Sequence, residues 1–479
     1  MSRKTLLLGL AALLVLAAAA SAWWWHAAGT RREIVAAAVP PAPDLSAASV
    51  PLRDALSAAE ARAQSMSTAR DGLVELSRLY HANGYLDEAV ACYRGLAGLE
   101  PSEARWPHLH ATILAGFGEI DPAIELWQRV LALAPDYTPA ALRLGDSLLK
   151  ANRLDEAVAT YQAVLDRNPN EAYALLGLAR LDFEAGRDRP ALERIERVVQ
   201  LTNYQLGYDL IVSLYERMGQ RERADAIRGS YKASGAYRDP PDPWHDELIE
   251  ACYDSYRLAL AAGMLDRNGD PANARRLLER AIALEPNDVS ARFQLGTLAV
   301  RQGDSRTARE QLERCTVLDP AFADPWAHLA SLHEQLGDQA AAERTLAAGL
   351  RNCPQSPGLH LMRARRLKAA GRIDEAINEF NISIRYRPNE PDAYVELGNT
   401  LIAAGREAEG IEQFQRALET DPANPIILVV LTLNAIGQGD EAGAREWMTR
   451  IADQPRVSRE HAARLQEAFR QKFGTAWRR

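Results

Sequence analysis

Residues 152–179 read NRLDEAVATYQAVLDRNPNEAYALLGLA, and residues 371–398 read GRIDEAINEFNISIRYRPNEPDAYVELG. Both carry Asp-Glu-Ala after a turn, an aromatic four residues past the Ala, a Pro eight residues further on, and a restart rich in small residues. Aligning the chain on that Pro gives Pro101, Pro135 and Pro169, then Pro286, Pro320, Pro354, Pro388 and Pro422, each series in steps of 34. A constant period of this size marks a repeated helical hairpin that cannot bury its apolar face alone and must stack on its neighbours.

The totals agree with an all-α array. Of the 479 residues 47% are apolar and 25% charged, with Ala, Leu, Glu and Arg abundant and β-branched and aromatic residues sparse. That balance favours helix over strand. The 30 Gly and 25 Pro recur at intervals rather than in runs. A net charge of −8 without a long basic run argues against nucleic acid as a partner. Cys92, Cys252, Cys315 and Cys353 form no CxxC pair, which leaves zinc and thioredoxin-like readings without support. They read as small buried apolar residues, with a disulfide open to them in an oxidising compartment.

The chain resembles the tetratricopeptide repeat (TPR) family in many positions at once. Residues 391–424 supply Tyr394, Leu397, Gly398, Leu401, Gly405, Phe414, Ala417 and Pro422, with Gly410 in place of the helix-B Ala. Residues 138–171 supply Leu144, Gly145, Leu148, Ala157, Tyr161 and Pro169, and residues 323–356 supply Trp326, Leu329, Ala330, Gly337, Ala342 and Pro354. Small residues let helices A and B approach, large ones fill the space between hairpins, and Gly ends helix A at positive φ. The Pro is read as opening the next unit, where a missing N–H is tolerated. The expected fold is an all-α solenoid, a TPR superhelix of about eleven hairpins, with arrays over 70–228 and 255–456.

The repeat phase locates an interruption. The two quoted segments lie 219 residues apart, six periods of 34 plus 15. The extra residues fall in 229–254, where DPPDPW cannot be regular helix. This segment is expected either to bridge two sub-arrays or to fold back over the repeats, with Trp244 as a groove plug or an exposed contact. Residues 457–479 read as an amphipathic capping helix.

Residues 1–33 are read as a signal anchor or transmembrane helix. Arg3 and Lys4 precede the apolar run Leu6–Trp25, about 20 residues and enough to cross a ~30 Å hydrocarbon core. Trp23, Trp24 and Trp25 suit a membrane interface. A second reading is a signal peptide cut after Ala20-Ser21-Ala22. Either delivers the repeats across a membrane, placing them in a bacterial periplasm in the anchored reading, or free there or outside the cell in the cleaved one. Residues 34–69 are read as an Ala/Pro-rich tether followed by a leading helix.

Motifs that suggest catalysis dissolve into the repeat. Gly145-Asp146-Ser147-Leu148 spells a hydrolase signature, and Ser147 to Lys150 spells SxxK, yet packing already requires Gly145 and Leu148, and no SDN or KTG follows. His108 and His110 are two apart and would diverge on a helix, His328 and His333 are five apart, and no HExxH is completed. Gly116-Phe117-Gly118 is a repeat turn rather than a phosphate cradle. No cofactor, metal or catalytic residue is expected.

The resemblance implies that positions 2, 5, 9 and 12 of each helix A face a concave groove that takes a partner's peptide or helix. The candidates there are Arg78, His81, Asp146, Tyr173, Arg180, Phe183, Arg365, Lys368 and Asn399. The carboxylate clamp of chaperone-binding relatives is absent, with Asn399 standing alone. The Asn ladder of O-linked N-acetylglucosamine transferases is absent too. The expected function is a non-catalytic, membrane-tethered protein-binding scaffold in envelope assembly or export. The alternative is a cleaved, soluble carrier of a glycan or other small ligand.

Overall fold

The computed structural model describes residues 29, 33–65, 67–202, 204–230, 240–422, 424–452 and 459–477. Every regular element among them is helical, and eleven helix pairs follow one another along the chain. The run Leu6–Trp25 lies outside the described residues; among the described residues no helix is long and apolar enough to cross a membrane. The chain divides into two compact units, one of Met1–Ala224 with Lys232–Leu260 and one of Asp225–Tyr231 with Ala261–Arg479.

In the first unit the helix Val50–Gln64 precedes the pairs Ala69–Asn83 with Leu86–Leu99, Arg105–Gly116 with Ile120–Leu133, Thr138–Lys150 with Leu154–Arg167, and Ala172–Glu184 with Asp188–Leu201. The second unit stacks pairs from Val289–Gln302 with Ser305–Leu318 through Pro425–Gln438 with Glu441–Ala452 and closes with the helix Arg459–Phe473. Phe469 of that last helix is fully buried against Ala435, Ile436, Ala444 and Met448, so it covers the apolar side the final hairpin would otherwise expose.

Backbone geometry carries the period. Gly303, Gly337, Gly371 and Gly405 follow helix A in successive pairs with φ between 76° and 80°, a left-handed conformation that reverses the chain at little steric cost. In the third pair the same place is held by Asn152 at φ 58°, the one non-Gly residue at positive φ among those described. Asn152→Val is expected to destabilise this hairpin by about 1–2 kcal/mol, because a β-branched side chain resists this region. Asn152→Gly should stay within ~0.5 kcal/mol of wild type, since Asn already tolerates it. Chemical unfolding of the three proteins checks both expectations.

The period-marking prolines sit elsewhere than expected. Pro169 follows Asn168, the residue that ends its helix B, and the next helix A begins only at Ala172. It terminates one unit rather than opening the next, as a residue that cannot continue the preceding helix. Different prolines, Pro139, Pro357, Pro391 and Pro425, occupy the first turn of helix A. Two chemistries start helix B. Asp304 and Asp338 accept from the backbone N–H groups of Thr307 and Ala341. Arg153, Arg372 and Arg406 instead pair with Glu156, Glu375 and Glu409 three residues on.

In the core, large side chains wedge between small residues, aromatic in some repeats (Tyr161, Phe380, Phe414) and leucine in others (Leu312, Leu346). The ring of Tyr161 lies against the backbones of Gly145 and Gly177, and a Cβ on either would come within 2.6 Å of it. Gly145 of the GDSL sequence therefore answers to packing across a hairpin interface. Residues 34–51, expected to form a tether, correct that reading. Ala38 is buried against Gly95, and Leu45 and Ala48 pack on the first hairpin's core. A Cβ on Gly95 would sit 2.1 Å from that of Ala38, so the stretch is part of the folded unit.

Candidate functional site

In the first unit the residues after Asp239 fold back along the first helices of the leading pairs, the second of the two dispositions open to the interrupting segment. Pro243–Asp246 forms one helical turn and Glu247–Ala251 a 3-10 turn. Asp242 is fully buried. Its Oδ2 accepts from His108 Nε2 at 2.8 Å and from Arg143 Nε at 3.1 Å, while Oδ1 accepts from the Tyr137 hydroxyl at 2.6 Å. Burial pushes this carboxyl's pKa up. The hydrogen bond and charge of His108, with Tyr137 and Arg143, outweigh it and hold the group well below the usual carboxylate range.

Trp244 is half-buried and stacks on Tyr137, with centroids 3.6 Å apart and planes 13° off parallel. His108 meets the indole edge-on at 5.5 Å, and the Arg105 guanidinium stands 5.9 Å from its centre. Trp244 thus lies on this face of the unit, half-buried between Tyr137, His108 and Arg105. Glu247 Oε2 bridges Arg78 at 3.1 Å and Arg105 at 3.3 Å. Leu248 is buried in the first hairpin's core. The side chain of Asn83 reads the segment's backbone, donating to the Ala251 carbonyl at 2.8 Å and accepting from the Tyr253 N–H at 2.7 Å. Such paired amide contacts hold a main chain whatever its side chains.

The expected groove residues divide between this covered face and the rest. Arg78 is engaged by Glu247. His81 hydrogen-bonds the Tyr93 hydroxyl at 3.0 Å and meets the ring of His245 edge-on at 5.6 Å. Asp146 accepts from the Tyr161 hydroxyl at 2.6 Å, and burial raises its pKa despite Tyr161 and the nearby Arg180. Tyr173 packs 4.8 Å from Tyr204, and the Arg217 guanidinium lies 3.7 Å over the Phe183 ring. Arg180 is exposed. In the second unit Arg365 pairs with Glu396 at 2.6 Å, Lys368 is half-buried on the same helix, and Asn399 is exposed on the next helix A. Ser147 is buried, which removes the GDSL and SxxK serine from solvent.

His108, Arg105, Tyr137, Arg143, Asp242 and Glu247 were missed as a set. Arg105 and His108 do occupy groove positions 2 and 5 of their repeat. The available signal was an acidic, aromatic insertion in a chain whose first two repeats place Arg78, His81, Arg105 and His108 at groove positions. Among the described residues no group of three or more His, Cys, Asp and Glu side chains is placed to hold a metal ion. The four cysteines are free and buried.

Acid should loosen this face in two stages. Burial, with smaller contributions from His245 and Arg257, lowers the His81 pKa from 6.5 to about 3. Burial also lowers that of His245. A depressed histidine value means that the unfolded chain takes up the proton first. The stability is therefore full above pH 6.5 and drains as pH falls toward 3. Asp242 adds its own loss only below its ordinary 3.8, as pH falls through its lowered value. Unfolding free energies between pH 7.5 and about 5 should fall in wild type and stay flatter in His81→Gln.

Family models described as tetratricopeptide repeat match residues 293–357 and 361–425, residues 114–176, 148–203 and 267–316, and residues 71–103. Cellulose synthase operon protein C of Pseudomonas fluorescens (strain SBW25) is 29% identical over 182 residues, 37% of this chain and 13% of that protein. DnaJ homolog subfamily C member 3 of Mus musculus is 24% identical over 227 residues, 47% of this chain and 38% of that protein. The chain thus spans less than half the length of these curated relatives. Among solved structures, yeast Tom70 matches at 14% identity and a TM-score of 0.37 over 85% of this chain and 96% of its own. PilW, a type IV pilus biogenesis factor, matches at 18% identity and a TM-score of 0.37 over 44% of this chain and 98% of its own. The repeat matches together span more than half of the chain, and with the helix pairs in their fixed period they make it a member of the tetratricopeptide repeat family.

Proposed function

We propose that this chain is a non-catalytic scaffold that binds a partner protein along the helix-A faces of its repeats. The observation that carries the reading is the mode by which the first unit holds residues 240–254. Carboxylates are met by Arg, His and Tyr, an indole is stacked, and the backbone is gripped by Asn83. These are contacts by which a surface captures a short segment of another protein. Arg180, Lys368, Asn399 and Arg365, the last held by Glu396, mark the stretches of helix-A face offered to such a partner.

In this reading the Leu6–Trp25 run tethers the scaffold to a bacterial inner membrane with the repeats in the periplasm, serving envelope assembly or export. Arg3 and Lys4 before the run favour that orientation, Arg31 and Arg32 after it count against it, and the Trp cluster suits an interface at the end of the run. Intact mass of the membrane-extracted protein tests the tether. A chain retaining Met1 to Ala22 supports it, and a chain starting at Trp23 replaces it with a cleaved, soluble form. Cross-linking in membranes followed by affinity capture tests the scaffold. A specific partner protein retained by wild type and lost from Arg180→Glu/Arg365→Glu is the expected result. No specific protein with either form would overturn the reading.

A further inference from the structure

Residues 240–254 belong to no hairpin. The period of 34 runs on either side of them, while Leu248 of the segment is buried in the first hairpin's core. They lie on the faces of three successive helices A, with a charge pattern opposite to the surface beneath. Asp242 and Glu247 meet His108, Arg143, Arg78 and Arg105. Their contacts come from anchors at fixed spacing: a buried carboxylate, an indole two residues on, and a carboxylate three residues after that.

We propose that the face built by the first three hairpins is a recognition site for acidic, proline-flanked aromatic segments of a partner protein, and that residues 240–254 occupy it in cis as a stand-in for such a segment. This deepens the scaffold reading and rests on it. The partner is defined by chemistry: an aspartate able to enter the pocket of His108, Tyr137 and Arg143, an indole for the Tyr137 ring, and a glutamate for Arg78 and Arg105. The Asn83 contacts add no sequence requirement, because they reach only main-chain atoms. Tethering gives the internal segment an effective concentration of about millimolar. A partner therefore gains the site only by binding more tightly than the internal copy or by presenting several such segments.

The test uses the full chain and a fluorescein-labelled synthetic peptide, DPPDPWHDELIEACYD, copying Asp239–Asp254. Anisotropy should show binding to a chain carrying Asp242→Ala, Trp244→Ala and Glu247→Ala, whose own segment is disabled. Binding to the unaltered chain should be weaker by roughly 100-fold, the scale on which tethering acts. Adding Arg143→Ala and His108→Ala to the disabled chain should abolish it. Equal binding to both chains, or none to a disabled chain that keeps its helical circular dichroism, overturns the proposal and leaves the segment a structural strut. If the disabled chain fails to fold, hydrogen exchange on the unaltered chain decides. Millimolar peptide should accelerate exchange at the amides of 240–254, and unchanged rates overturn the proposal. A partner still captured through Arg180 and Arg365 while the peptide results are negative sinks this inference alone.

Discussion

Asp242→Ala is expected to cost the first unit about 3 kcal/mol, the low end for removing one member of a buried charged network. The carboxylate is fully buried and accepts from three groups on two successive repeats, so its removal leaves His108, Tyr137 and Arg143 facing a void. The cost stays at the low end because the Arg143 side chain keeps 18% exposure and can recover water. Asp242→Asn retains an acceptor without the charge and should cost roughly half as much. Trp244 sits two residues on and stacks on Tyr137, itself a partner of Asp242. Its fluorescence should therefore shift toward that of a solvated indole in the Ala variant. Urea unfolding followed by hydrogen exchange at 240–254 separates the two readouts. An unchanged midpoint with an unshifted Trp244 would mean that packing of Leu248 and Trp244, rather than the buried carboxylate, seats the segment.

Tyr161→Ala is expected to cost about 3–5 kcal/mol, the range for emptying a large buried aromatic site. The reason lies in its neighbours. Gly145 and Gly177 flank the ring and have no side chains to move into the space. The lost ring also strips Asp146 of its hydroxyl donor at 2.6 Å. The converse substitution, Gly177→Ala, should cost about 1–3 kcal/mol in wild type, because its Cβ would meet the ring at 2.5 Å. Placed in the Tyr161→Ala background the same change should be neutral or stabilising, since it then fills the void. That reversal is a coupling between touching sites, and additive effects would refute the wedge. A repeat stack unfolds by neighbouring units, so protection of the amides in Thr138–Glu184 is a sharper readout than a global midpoint.

The hairpins and their turns were legible because their causes are local. The repeats write their small residues, their wedge side chains and, in most of them, a turn Gly within 34 residues, and the same turn recurs at Gly303, Gly337 and Gly371. The prolines were visible but misplaced by a few residues, because the period is blind to which helix a turn residue serves. Pro169 ends a helix B, while Pro139 starts a helix A. The tether was misjudged for a related reason. Ala and Pro enrichment describes a stretch that gains little from burying itself, yet Gly95 on another helix leaves space that Ala38 fills.

The candidate site was half legible. Arg78 and His81 were placed on the helix-A face from their repeat positions, and the 229–254 insertion was located by its disturbance of the phase. Their meeting was not foreseeable from periodicity, since Asp242 and His108 are 134 residues apart. Sequence alone determined the helical repeat, its period, the steric logic of its small and aromatic positions, and the presence of an insertion outside that period. Only the tertiary structure decided that residues 240–254 lie on the first three hairpins with their carboxylates against Arg, His and Tyr side chains. The physical reason is that repeat packing is set by neighbours along the chain, whereas the seating of an inserted segment depends on complementarity between residues that only the folded stack brings together.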